Sequence, residues 1–169
     1  MNAERSHPLV GGPRRRSSQM GRADVSVTIA RPVEDVFAVL TDPTKSTKWS
    51  ANAIEAELIT PGPPGVGSRR RAVAKGPFGG TMENVMEVTE LEPNRKVALK
   101  LVSAPWGGTG RTWYTFTPVD GGTRVDWTWE IEPAGLWKPL GSRPFMAIFG
   151  RRFQRDLDNL KVMMESGRL

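Results

Sequence analysis

A chain of 169 residues corresponds to roughly one domain, and folding should bury roughly 70% of its unfolded surface, enough for a core without staples. Cysteine is absent and His7 is the single histidine. That excludes disulfides, thiol catalysis and thiolate metal sites, and it excludes a Ser-His-Asp triad unless His7 itself serves. Of the net charge of +6, residues 1–22 supply +4 through five arginines and one glutamate, leaving 19 basic against 17 acidic side chains in the body. The body is nearly balanced and gives no argument for a nucleic-acid groove.

Residues 1–22 are rich in Gly, Pro, Ser and Arg without apolar periodicity, so a disordered basic tail is expected there, ahead of one domain over residues 23–166. The segment lacks the apolar core of a secretory signal. No apolar run approaches the roughly 18 to 20 residues needed to span a bilayer, and the expectation is a soluble, cytoplasmic domain.

Between Ala23 and Ala30, Val25, Val27 and Ile29 alternate with Asp24, Ser26 and Thr28, the pattern of a half-buried strand. Pro32 opens a short helix with Glu34 and Asp35 in its first turn and Val33, Val36, Phe37 and Leu40 on its apolar face, and Asp42-Pro43 ends it. A second helical turn or loop carries the chain from Lys45 to Trp49. Strands are then expected over Ile54–Thr60, Ser68–Ala74, Thr81–Leu91, Val97–Val102, Arg111–Thr117 and Arg124–Glu132, separated by Gly/Pro-rich turns. Asp120-Gly121-Gly122 marks a hairpin. After Pro139 the period changes: Phe145, Phe149, Phe153, Leu157, Leu160 and Met164 form one stripe on a helix of about six turns, with Arg151, Arg152, Arg155, Asp158 and Lys161 mainly on its solvated side. Gly167 stops it.

Hairpin-length connections imply an antiparallel sheet with one face covered by the last helix, an α+β architecture. A strongly curved sheet wrapped around a helix leaves room for a cavity between them. The chain resembles the START-like, helix-grip superfamily, and within it the polyketide cyclase/dehydrase and lipid-transport (SRPBCC) group. The resemblance rests on Ala30-Arg31-Pro32-Val33-Glu34-Asp35-Val36-Phe37 leading to Leu40-Thr41-Asp42-Pro43, and on Trp49, Gly65-Val66-Gly67-Ser68, Gly121-Gly122-Thr123-Arg124-Val125 and the C-terminal helix. It implies a helix-grip fold with two short helices after the first strand. It also implies binding of lipids, sterols, polyketides or plant hormones, with a minority of members catalysing cyclisation or dehydration, and it supplies no universal catalytic motif.

The residues themselves must therefore suggest the site. On the fourth strand Met82, Asn84, Met86 and Val88 should face inward, since the opposite choice would bury Glu83 and Glu87 without partners. Asn84 and Tyr114 can orient a carbonyl or hydroxyl in an apolar pocket. Trp49, Phe78, Trp106 and Trp137 sit beside Gly/Pro-rich loops, where a pocket would open. Trp127, Trp129 and Phe153 read first as packing, with Trp129 kept as a candidate, and Phe149 should border the cavity. The candidate ligand-binding set is thus Trp49, Phe78, Met82, Asn84, Met86, Trp106, Tyr114, Trp129, Trp137 and Phe149. The expected function is binding of an apolar or amphipathic small molecule, whether lipid, polyketide or aromatic compound, by a monomer or homodimer. No metal, tightly bound cofactor or nucleic-acid partner is expected. Two alternatives stay open: a cyclase or dehydratase acting through Asn84, Tyr114 and an ordered water, and a non-catalytic interaction module with a filled interior.

Overall fold

The computed structural model describes residues 20–76 and 79–169. Strand β1 (Gly21–Ile29) leads into α1 (Val33–Thr41), a 3₁₀ turn (Pro43–Lys45) and α2 (Ser46–Trp49). Six strands follow: β2 (Ala53–Leu58), β3 (Arg69–Lys75), β4 (Thr81–Glu92), β5 (Lys96–Ser103), β6 (Thr109–Val119) and β7 (Gly122–Glu132). A second 3₁₀ segment (Gly135–Gly141) then delivers the chain to α3 (Arg143–Glu165). All strands join one seven-stranded antiparallel sheet in the order β1-β7-β6-β5-β4-β3-β2. Only β1 pairs out of sequence, closing against β7. The sheet begins two residues before the expected boundary, because Gly21 and Arg22 pair with Ile131 and Glu130. Residues 1–19 of the expected tail lie outside the described residues.

Local chemistry accounts for the corners. Pro32 precedes the first turn of α1, and Asp42 ends it by accepting hydrogen bonds from the Thr44 amide at 3.0 Å and the Thr44 hydroxyl at 2.7 Å. The β6–β7 hairpin turns at Gly121, whose φ of 76° suits glycine. Its neighbour Gly122 passes so close to β1 that a Cβ there would lie 2.1 Å from the Ile29 carbonyl oxygen. Register shifts between Val85 and Met86 and between Val88 and Glu90 bend β4 against β5, which increases the curl of the sheet around α3.

Two apolar clusters fill the concave side. One is built on Ile29, Val36, Leu40, Val88, Val97, Val125, Leu157 and Leu160, with the α1 residue Phe37 edge-on to Phe116 at 5.2 Å. The other joins Ala23, Trp106, Ile131, Leu140 and Met146. Together they pin α3 at its two ends. Between those ends the filling is incomplete.

Candidate functional site

A pocket of about 270 Å³ lies between the inner face of the sheet and the middle of α3. Strand parity puts its walls there. Arg70, Ala72 and Ala74 on β3 stand opposite Met86, Asn84 and Met82 on β4, and Ala56 on β2 stands opposite Ala72. Side chains directly opposite in an antiparallel ladder share a face. These alanines leave the far half of the sheet short of volume. The facing helix supplies rings instead: Phe145, Phe149 and Phe153 form a ladder with centroids 5.2 and 5.9 Å apart. Phe153 continues it onto Trp127 at 4.6 Å and Trp129 at 6.0 Å, and Trp127 stacks on Tyr114 at 5.0 Å. Small residues on one wall and aromatics on the other hold the space open.

The polar groups of this interior fall into a satisfied set and an unsatisfied set. Asp156 on α3 is 3% exposed and accepts from the Ser50 hydroxyl at 2.6 Å, the Ala51 amide at 3.0 Å and the Asn52 side chain at 3.3 Å. It ties the α2–β2 corner to the helix. Arg152 donates to the Asn52 side-chain Oδ1 and to the Lys75 backbone oxygen. The Trp127 indole donates to the Thr112 hydroxyl at 2.8 Å, which in turn donates to the Thr128 carbonyl.

By contrast, the indole N–H groups of Trp49, Trp106 and Trp129 and the Nε and Nη2 of Arg70 are buried with no protein acceptor. All four side chains line the pocket. Burial pushes the Arg70 guanidinium below its ordinary pKa, an effect opposed by Tyr114 and Asp42 nearby. Burial likewise drives the Tyr114 phenol far above its usual range, against the opposing pull of Arg70. Tyr114 therefore stays protonated and can donate, but it is a poor base.

Residues 20–165 match the family described as polyketide cyclase / dehydrase and lipid transport. The chain belongs to that family. An uncharacterised protein of Mycobacterium tuberculosis is 27% identical over 136 residues, covering 78% of this chain and 79% of the relative. A Thermus thermophilus crystal structure superposes with a TM-score of 0.73 at 17% identity, covering 86% of this chain and 98% of the other. The major latex-like protein 151 of Panax ginseng gives a TM-score of 0.69 at 13% identity, covering 85% and 97%. At these identities the structural likeness establishes the helix-grip fold alone.

Within this family member, Trp49, Met82, Asn84, Met86, Trp106, Tyr114, Trp129 and Phe149 all line this pocket. Phe78 lies outside the described residues. Trp137 is not brought to the site: its 3₁₀ segment leaves it 42% exposed and Leu136 98% exposed. Adjacency to a loop in sequence does not fix direction. Trp127 and Phe153, expected as packing, do pack, yet they also face the pocket. Arg152, expected on the solvated side of α3, turns instead to Asn52 and the pocket wall.

Arg70 and Asp156 were absent from the candidate set, although each had a signal. Three consecutive arginines in a strand, Arg69, Arg70 and Arg71, cannot share a face, because the side-chain period is two. With Arg69 and Arg71 on the outside, Arg70 must point in with Ala72 and Ala74. Asp156 directly precedes Leu157 and falls within the arc of the apolar stripe of α3.

Proposed function

We propose that this protein binds one small apolar or amphipathic molecule in the pocket between the sheet and α3. The observation that carries the reading is the opposition of Ala56, Ala72 and Ala74 to the aromatic ladder of α3, which leaves about 270 Å³ with mostly apolar walls. That volume lies just under the roughly 300 to 1,000 Å³ typical of small-molecule sites. It suits a compact ring system or a short chain better than a two-chain lipid. Membership of a family described by polyketide chemistry and lipid transport supports the same ligand class.

Binding is favoured here over acid–base catalysis. General acid–base chemistry works best with a group whose pKa lies near the working pH. Tyr114 is held well above that range by burial, Asn84 does not titrate, and Asp156 is occupied with three donors.

The test is fluorescence titration of the full chain with N-phenyl-1-naphthylamine, an uncharged apolar probe, beside mass spectrometry of compounds extracted from natively purified protein. Saturable probe binding that an Ala72→Phe substitution abolishes, without loss of folding, is the expected result. Ala72→Phe fills the space between β3 and α3. Absence of saturable binding together with an empty extract would overturn the reading.

A further inference from the structure

We propose that the molecule held in this pocket carries a carboxylate, bound by the Nε and Nη2 edge of Arg70, with its other oxygens directed at the indole N–H groups of the pocket. This rests on the ligand-binding reading above and adds the chemical class of the ligand.

The unsatisfied buried side-chain atoms among the described residues are five nitrogens, on Arg70, Trp49, Trp106 and Trp129. All four residues line the same pocket. Every one of the five atoms is an obligate donor; none is an acceptor. Unrelated packing faults would scatter over the molecule and mix donors with acceptors. A donor-only set in one pocket calls for an occupant rich in acceptors.

Arg70 makes that demand specific. Its guanidinium keeps its charge throughout the accessible pH range; the side chain as a whole is half-buried, but its Nε and Nη2 are withdrawn from solvent without an acceptor, which is disfavoured. Asp42 acts on it through its field, but no carboxylate of the protein meets its Nε and Nη2 edge. Oδ1 of Asp42 is held by the Thr44 amide and hydroxyl, and its Oδ2 lies 3.9 Å from the Lys45 ammonium. Asp156 is committed to Ser50, Ala51 and Asn52, and Tyr114 remains a neutral phenol. The two free nitrogens of Arg70 form the side edge of the guanidinium, a pair of parallel N–H donors that matches the two oxygens of a carboxylate. A neutral ligand would leave the charge unanswered, and a cationic one would be repelled.

The deciding experiment titrates the full chain at pH 7 with 2-naphthoic acid and with 2-naphthylmethanol, which share a ring system and differ in the charged group. The expected result is tighter binding of the acid by about 10- to 100-fold, the range of a charge-assisted pair over a neutral contact. Arg70→Met should erase that preference, the acid then binding no more tightly than the alcohol. Arg70→Lys, which keeps the charge but loses the planar fork, should retain only part of it. Equal affinity of the wild-type protein for acid and alcohol overturns the carboxylate assignment and leaves the pocket as a binding site. An acid preference that survives in Arg70→Met overturns the role of Arg70. Binding of neither probe overturns the underlying reading, and the carboxylate assignment falls with it.

Discussion

Arg69, Arg70 and Arg71 follow one another on β3, yet the two faces of the sheet treat them in opposite ways. On the outer face Arg69 pairs with Glu87 at 3.1 Å, and Arg71 reaches Glu83, Glu55 and Glu57 at 2.7, 3.0 and 3.3 Å. The same face holds Lys96 against Glu90 and Arg124 against Asp126. It also holds Arg22 and Arg111 against Glu130, both arginines lying over the Trp113 ring. Inside, one residue away, the Arg70 guanidinium has no such partner. Apart from the pairs to the buried Glu130, these are solvent-exposed pairs of the kind that each contribute little, commonly 0 to about 1 kcal/mol. Withdrawing two guanidinium N–H groups from water without an acceptor costs more. The two faces of the sheet thus differ in how far they satisfy their arginines, and the pocket lies on the face that leaves one unsatisfied.

The inner face breaks first where packing and pocket coincide. Phe153 touches Trp127, Trp129 and Phe149, whereas Phe149 touches Phe145 and Phe153. Phe153→Ala should lower unfolding free energy by about 3 to 4 kcal/mol and Phe149→Ala by about 2, since truncation loses both transfer energy and packing contacts. Both rings face the pocket, so probe affinity should fall in each variant. Urea denaturation and N-phenyl-1-naphthylamine titration of both variants check this. Unchanged affinity in both would move the pocket away from the helix.

Asp156 offers the sharper contrast with Arg70, because it is a buried carboxyl group in the same cavity that the protein does satisfy. Asp156→Ala should cost about 3 kcal/mol, since it removes hydrogen bonds to a charged group and strands the donors at the α2–β2 corner. Thermal melting should fall by about 6 to 12 °C. Arg70→Met should move the other way, raising stability by about 1 kcal/mol, or about 2 to 4 °C, by removing a half-buried cation whose Nε and Nη2 have no acceptor. Packing alone does not predict opposite signs for two charged side chains of one cavity. A clear loss of stability in Arg70→Met would mean that Arg70 is structural after all, and calorimetry on both variants reads the sign directly.

Period and punctuation made the frame readable. The alternation in β1 and β7, the hairpin at Gly121 and the four-residue spacing of Phe145, Phe149 and Phe153 place strands and helix within a few residues of their observed ends. The choice of Met82, Asn84 and Met86 over Glu83 and Glu87 as the inner face of β4 follows from the same physics, and Glu87 does lie outside between Arg69 and Lys100. What stayed hidden depends on geometry between elements. No local pattern says that Trp137 turns outward, because a 3₁₀ segment between a strand and a helix has no fixed face. Nor does it say that Asp156 meets three donors from a corner about 105 residues away. The inward direction of Arg70, by contrast, is legible in the sequence, because strand parity separates it from Arg69 and Arg71.

The smallest effect belongs to the outer face, and its sign follows from Glu87. Lys100 and Arg69, at 2.7 and 3.1 Å, hold the Glu87 carboxyl below the ordinary carboxylate range. A carboxyl depressed in the folded state stabilises the protein above its unfolded pKa of about 4.3, and that contribution is lost as pH falls through the lower folded value. Glu87→Gln should therefore be slightly less stable than the wild type at neutral pH. The gap should close on acidification, because protonated Glu87 and glutamine then bind the same neighbours alike. Raising salt from about 0.05 to about 0.5 M should shrink it as well, since these partners are in contact with solvent. Urea midpoints across the acid range at the two salt concentrations measure both trends. Carboxylate binding at Arg70 should stay unchanged throughout the neutral range, because the sheet separates the two faces. A Glu87→Gln penalty larger than the Arg70→Met gain, or one indifferent to salt, would place a strong buried interaction on the outer face and erase the contrast between the arginines of β3.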